Sequence, residues 1–128
     1  MRKESENWWN QSLYDFESAK DVFKLKRYSL SVFLCQQSVE KGLKAYFIEL
    51  KKESPGTTHS LIFLAKSVKL PEKYFKFLRR LMPQFVNTRY PDAAYGLPSE
   101  LYDNEIALEY LKDSEEVLKW LKKKILKN

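Results

Sequence analysis

Between Ser29 and Lys52 the chain carries a helical pattern with two apolar faces, and this restricts it to few folds. At about 100° per residue, Val32, Cys35, Val39, Leu43, Tyr46 and Leu50 fall on one stripe. Leu30, Phe33, Leu34, Phe47 and Ile48 begin a second apolar face on the far side. A helix apolar on both sides must be covered from both, which is what a helical bundle provides. The second face is interrupted by Gln37, Glu40, Lys41 and Lys44, which fall within about 100° of one another. Charges half buried in a bundle cost free energy unless they are paired. These four residues are therefore expected either to pair with one another or to line a polar, ligand-facing pocket.

The flanking sequence supplies the covering helices. Trp8, Trp9, Ser12, Phe16, Ala19, Val22 and Phe23 recur at helical spacing, predicting a first helix from about Glu6 to Lys26. Ser29 is the expected N-cap of the second helix, and Glu53 to Thr57, with its Pro-Gly step, is a turn. Thr58 is expected to cap a short third helix bearing Leu61, Leu64, Ala65 and Val68. Pro71 suits the start of a fourth, from about Glu72 to Phe85, whose end Pro83 distorts. Val86 to Ser99 is a long connection rich in Arg, Tyr, Pro and Asp, expected to be ordered and packed. Asp103 or Ser99 caps a last helix to about Leu126. No strand pattern competes, so the expectation is all-α: a single domain over residues 1–128, an up-and-down bundle of about five helices, three of them long.

Bulk properties narrow the function classes. The net charge of +6 favours acidic partners, nucleic acid first among them, although Lys122, Lys123, Lys124 and Lys127 also suit a helix C-terminus. No run of about 18 apolar residues is present, and the first residues lack the apolar core of a signal peptide, so no membrane is expected. Cys35 is the single cysteine, which excludes a disulfide scaffold and a cysteine-based metal cluster and points to a reducing cytoplasm. One histidine, His59, without a nearby second His or Cys offers no metal ligand set. No metal and no cofactor is expected.

Four stretches together resemble the HEPN domain family. They are Trp8 with the Asp15 to Ala19 segment; Tyr28 through Tyr46 with Gln36-Gln37, Glu40-Lys41 and Lys44-Ala45; Thr58-His59-Ser60-Leu61; and Thr88-Arg89-Tyr90-Pro91-Asp92. The resemblance implies a helical bundle that dimerises and is associated with nucleotide or RNA binding. Many prokaryotic members act with a minimal nucleotidyltransferase in toxin–antitoxin-like pairs. Others are metal-independent ribonucleases that use an Arg followed, after four to six residues, by a His. This chain departs from that nuclease pattern, because Arg79, Arg80 and Arg89 have no histidine at that spacing.

The expected function is thus a non-catalytic, homodimeric domain binding a nucleotide or RNA, with a nucleotidyltransferase partner. The alternatives are a divergent ribonuclease toxin, with Arg89 and His59 as its candidate catalytic groups, and a protein-interaction module. For the ligand site, Gln37, Glu40, Lys41, Lys44, Arg89, Tyr90 and Asp92 are the candidates. Lys41 or Lys44 would neutralise a phosphate, Gln37 would contact a base or sugar, and Glu40 would orient a lysine. Arg89 would either pair with Asp92 or Glu40, or grip a phosphate bidentately beside Tyr90 or Tyr95 as a stacking surface. As the first-turn residue of a helix capped by Thr58, His59 would favour a neutral imidazole.

Overall fold

The doubly apolar helix is the centre of the molecule. The computed structural model describes residues 1–127, and in it α1 (Lys3–Lys24) and α2 (Tyr28–Lys51) form an antiparallel pair. The long last helix, α8 (Asn104–Lys127), packs on α2 beside α1. Val32, Cys35, Val39 and Leu43 are fully buried, as are Ile48 and, nearly so, Phe47 on the second face. Among the described residues there is no strand, so the all-α bundle holds.

Small residues let the helices approach. Ser12 Oγ donates to the Ser38 carbonyl at 2.6 Å, and Ser38 Oγ donates back to the Ser12 carbonyl at 2.7 Å. Gly42 faces both neighbours: a Cβ there would lie 3.1 Å from Ser12 Oγ and 3.2 Å from Leu118 and Leu121 side-chain carbons. Both partners of α2 thus close on the one position that lacks a side chain.

Between α2 and α8 the chain is broken into short helices: α3 (Leu61–Ser67), a 3-10 turn (Glu72–Tyr74), α4 (Phe75–Leu81), α5 (Gln84–Asn87), α6 (Pro91–Ala94) and α7 (Pro98–Leu101). The expected fourth helix ends early, because Pro83 stops α4 and restarts the chain as α5. The long connection is ordered as short turns, two of them begun by Pro91 and Pro98.

Two capping expectations and one helix start are corrected. The first helix begins at Lys3, and α2 begins at Tyr28 with Arg27 in the cap position and no side-chain cap, so Ser29 lies inside the helix. Ser60, not Thr58, caps α3, accepting from the Phe63 amide at 3.2 Å; Thr58 Oγ1 instead accepts from the Ser60 amide at 3.0 Å. His59 consequently precedes the helix, and the helix-dipole argument for it lapses. Asp103 does cap α8, accepting from the Ile106 amide at 2.9 Å. Lys52 ends α2 in the left-handed conformation with φ 58°, a task glycine performs at lower cost.

Candidate functional site

The polar window on α2 divides into two clusters. Lys41 leans toward α1, where its Nζ donates to Asp15 Oδ2 at 2.6 Å, with Gln11 donating to the other carboxylate oxygen at 2.9 Å. Lys41 is therefore committed to a structural pair. Glu40 and Lys44 form the second, one helical turn apart, with Nζ to Oε2 at 3.2 Å and both side chains about 95% buried.

Glu40 is the hub of the second cluster. Its Oε1 accepts from Gln36 Nε2 at 2.9 Å, and Gln36 Oε1 in turn accepts from Gln37 Nε2 at 2.7 Å. His59 brings Nδ1 to within 3.0 and 3.2 Å of the two Glu40 oxygens. A carboxylate at that nitrogen favours the Nδ1–H tautomer and leaves Nε2 as the acceptor. Lys44 Nζ also sits 5.3 Å from the centroid of the Trp8 ring. Every charge in this buried set thus has a partner, which is the condition for carrying it inside a bundle.

The cluster reaches the surface through His59, whose side chain is 52% exposed. The imidazole stacks on Phe85 with centroids 4.2 Å apart and planes at 25°. Phe85 also carries the Arg89 guanidinium, 4.6 Å from its centroid. Arg89 lies over two further rings, Phe33 at 4.7 Å and Tyr90 at 5.1 Å, and its Nε donates to the Phe85 carbonyl at 2.8 Å. Arg89 and Tyr90 are exposed. Of the two roles expected for Arg89, pairing with Asp92 or Glu40 is not found: among the described residues no carboxylate lies within ion-pair distance of it. Aromatic faces hold the guanidinium in place and leave its outer N–H groups for a ligand.

Gln84 fixes α5, and with it Phe85 and Arg89. Its Nε2 donates to the Arg80 carbonyl at 3.2 Å and lies 3.3 Å from Tyr110 Oη, while its Oε1 accepts from Tyr102 Oη. Arg80 clamps the same region to α8 through Glu109 at 3.2 Å and Asp113 at 3.1 Å. Burial pushes the Tyr102 hydroxyl up to about 12, so it remains a donor.

The expected recess holding Lys41, Lys44 and Arg89 is thus replaced by an open shelf of His59, Phe85, Arg89, Phe33 and Tyr90 above a buried Gln36–Glu40–Lys44 support. Gln37 joins only through Gln36, and Asp92 is exposed on α6 with no partner among the described residues. Gln36, Phe33 and Phe85 were not singled out from sequence as site residues. Gln36 was findable as the i−4 neighbour of Glu40, and Phe85 as the i−4 neighbour of Arg89. Among the described residues no group of three His, Cys, Asp or Glu side chains is placed to hold a metal ion, and no helix is long and apolar enough to cross a membrane.

Comparison with known proteins agrees with this architecture. Over 123 residues the chain is 32% identical to "Putative toxin MJ1304" of Methanocaldococcus jannaschii, covering 84% of this chain and 79% of that protein. TT1696 from Thermus thermophilus superposes with a TM-score of 0.86 at 25% identity, covering 96% of this chain and 99% of the other. ST0689, described as an archaeal HEPN homologue, superposes with a TM-score of 0.81 at 31% identity, covering 98% and 99%. The HEPN domain family model matches residues 5–125, and the chain belongs to that family.

Proposed function

We propose that this HEPN domain binds a nucleotide or single-stranded RNA on the His59–Phe85–Arg89 shelf, as one half of a toxin–antitoxin-like pair with a nucleotidyltransferase. The carrying observation is the exposed Arg89 guanidinium, seated on three aromatic rings with no carboxylate to neutralise it. In this reading Arg89 takes a phosphate through two N–H groups, and Tyr90, 49% exposed, offers a face to a base. Lys44 is buried against Glu40 and acts on the support, not on phosphate. The kinship to a protein named as a toxin, and the +6 net charge, agree with an RNA-directed role.

Fluorescence anisotropy with a labelled single-stranded RNA, and with a mononucleotide competitor, tests the assignment. Arg89→Ala should weaken RNA binding about tenfold and reduce the slope of log K against log salt by about 0.7, the value for one phosphate contact on a single strand. Tyr90→Ala should weaken binding without changing that slope. Parent-like binding by both variants would place the ligand elsewhere.

One observation favours a second reading, metal-independent RNA cleavage. The Glu40–His59 pair sets the tautomer in which Nε2 accepts a proton, and Nε2 has no hydrogen bond among the described residues. An acceptor nitrogen beside a phosphate-binding arginine is what removal of a 2′-OH proton requires. Cleavage of RNA in EDTA that is lost in both His59→Ala and Arg89→Ala would establish it. Cleavage surviving both changes would come from a contaminant.

A further inference from the structure

α1 and α8 each pack on α2 and make only a sparse contact with each other. A groove runs between them. One end is a cavity of about 270 Å3 floored by Phe16, Phe23, Leu108 and Leu111. The other is a cavity of about 190 Å3 floored by Trp9, Leu13, Phe16 and Leu118. Phe16, Lys20 and Glu115 line both, so the two cavities adjoin along the groove. It extends from Trp9 to Phe23 along α1, about 21 Å at 1.5 Å per residue, or four helical turns.

The rim is strongly one-signed. Lys20, Lys24, Lys112, Lys119 and Lys122 stand against Glu17 and Glu115. Lys20 is taken by Glu17 at 2.8 Å and Lys119 by Glu115 at 3.6 Å, so both carboxylates are already committed. Lys24, Lys112 and Lys122 have no ion pair among the described residues. An apolar floor of helical length between unpaired cations is the complement of a helix with an apolar stripe and acidic flanks. A second copy of this chain is a poor occupant: two-fold pairing would set one concave lysine-rimmed trough against another.

We infer that the α1–α8 groove docks an acidic amphipathic helix of a partner protein. The partner's apolar side chains, recurring every three or four residues, fill the two cavities, and its Glu or Asp side chains meet Lys24, Lys112 and Lys122. This surface shares no residue with the RNA shelf, so the two assignments stand or fall separately.

The test uses the full chain and two labelled peptides of about 16 residues, long enough to span the trough. One carries leucines at helical spacing with flanking glutamates. The other has the same composition scrambled to abolish the stripe. The patterned peptide should bind at least about tenfold more tightly. Leu108→Glu, a change at a partly exposed position, and Lys24→Glu with Lys112→Glu, both exposed, should each reduce that affinity about tenfold. The lysine reversals should also transfer preference to a lysine-flanked version of the peptide, an outcome that unfolding would not produce. Equal binding of patterned and scrambled peptides, binding by neither, or a parental dimer dissociated by Leu108→Glu would each overturn the inference.

Discussion

Replacing Glu40 with Met leaves the Lys44 ammonium about 95% buried without its carboxylate, and frees Gln36 Nε2 and His59 Nδ1 as well. Removing one partner of a buried pair costs about 3–5 kcal/mol. The Trp8 ring lies 5.3 Å from Lys44 Nζ with Glu40 present, so that contact is common to parent and variant and cancels. A loss of about 3–5 kcal/mol is expected. Lys44→Met should cost less, about 1–2 kcal/mol, because Glu40 keeps both Gln36 and His59. With both residues replaced no unpaired charge remains, and the loss should fall to about 0–2 kcal/mol. The cycle should therefore show at least about 1 kcal/mol of coupling, with the double variant more stable than Glu40→Met alone. Urea unfolding gives the numbers directly, provided the slope m is unchanged among the four proteins. Losses that add to within about 0.5 kcal/mol would refute the picture of Glu40 and Lys44 as one buried unit.

Two further outcomes follow from other parts of the molecule. Lys52→Gly should raise stability by about 0.5–1 kcal/mol, seen as a higher thermal midpoint, because exposed Lys52 holds φ 58° at the end of α2; an unchanged or lower midpoint would mean that its side chain contributes more than its backbone costs. Burial pushes the Cys35 thiol up from 9.0 to about 12, so the folded state retains a proton that the unfolded state releases. That contribution is complete below pH 9, and stability should decline as pH rises from about 9 toward 12. Cys35→Ala should flatten this decline relative to the parent in urea melts across that range, and an identical slope would sink the assignment.

The fold was legible because burial enforces periodicity. A helix covered on two sides has to write two apolar stripes, and α2 wrote both; the three long helices follow from that one constraint. Boundaries were less legible where several residues compete for one role. Ser60 won the α3 cap over Thr58, and Asp103 won the α8 cap over Ser99, because the geometry of the preceding turn decides which oxygen reaches an amide. The site was half legible. Glu40 and Lys44 stood out as charges in an apolar face, but the direction in which each neighbour leans is set by tertiary partners. Asp15, twenty-six positions upstream, captured Lys41, and nothing local to α2 announces it. For Arg89 the sequence leaves a carboxylate pair and a phosphate contact both open, and the structure seats it on Phe33, Phe85 and Tyr90. Of these rings only Phe85 and Tyr90 are near it in sequence.

The energetics bear on why the Glu40 network exists at all. A buried ion pair is on average no better for stability than a well-packed apolar pair, so stability alone is a weak reason for placing Gln36, Glu40 and Lys44 inside α2. What the apolar alternative lacks is an acceptor for His59. Without it the imidazole keeps its stack on Phe85 but loses the contact that fixes its ring orientation and tautomer. The Glu40→Met, Lys44→Met protein separates the two roles, since it is expected to be nearly as stable as the parent. If the network exists to position His59, this variant should fold normally while RNA binding, or any EDTA-resistant cleavage, drops toward that of His59→Ala. Adding His59→Ala to it should then produce little additional loss. Parental behaviour toward RNA in the stable double variant would mean that the polar cluster serves the bundle and that His59 is held by Phe85 alone.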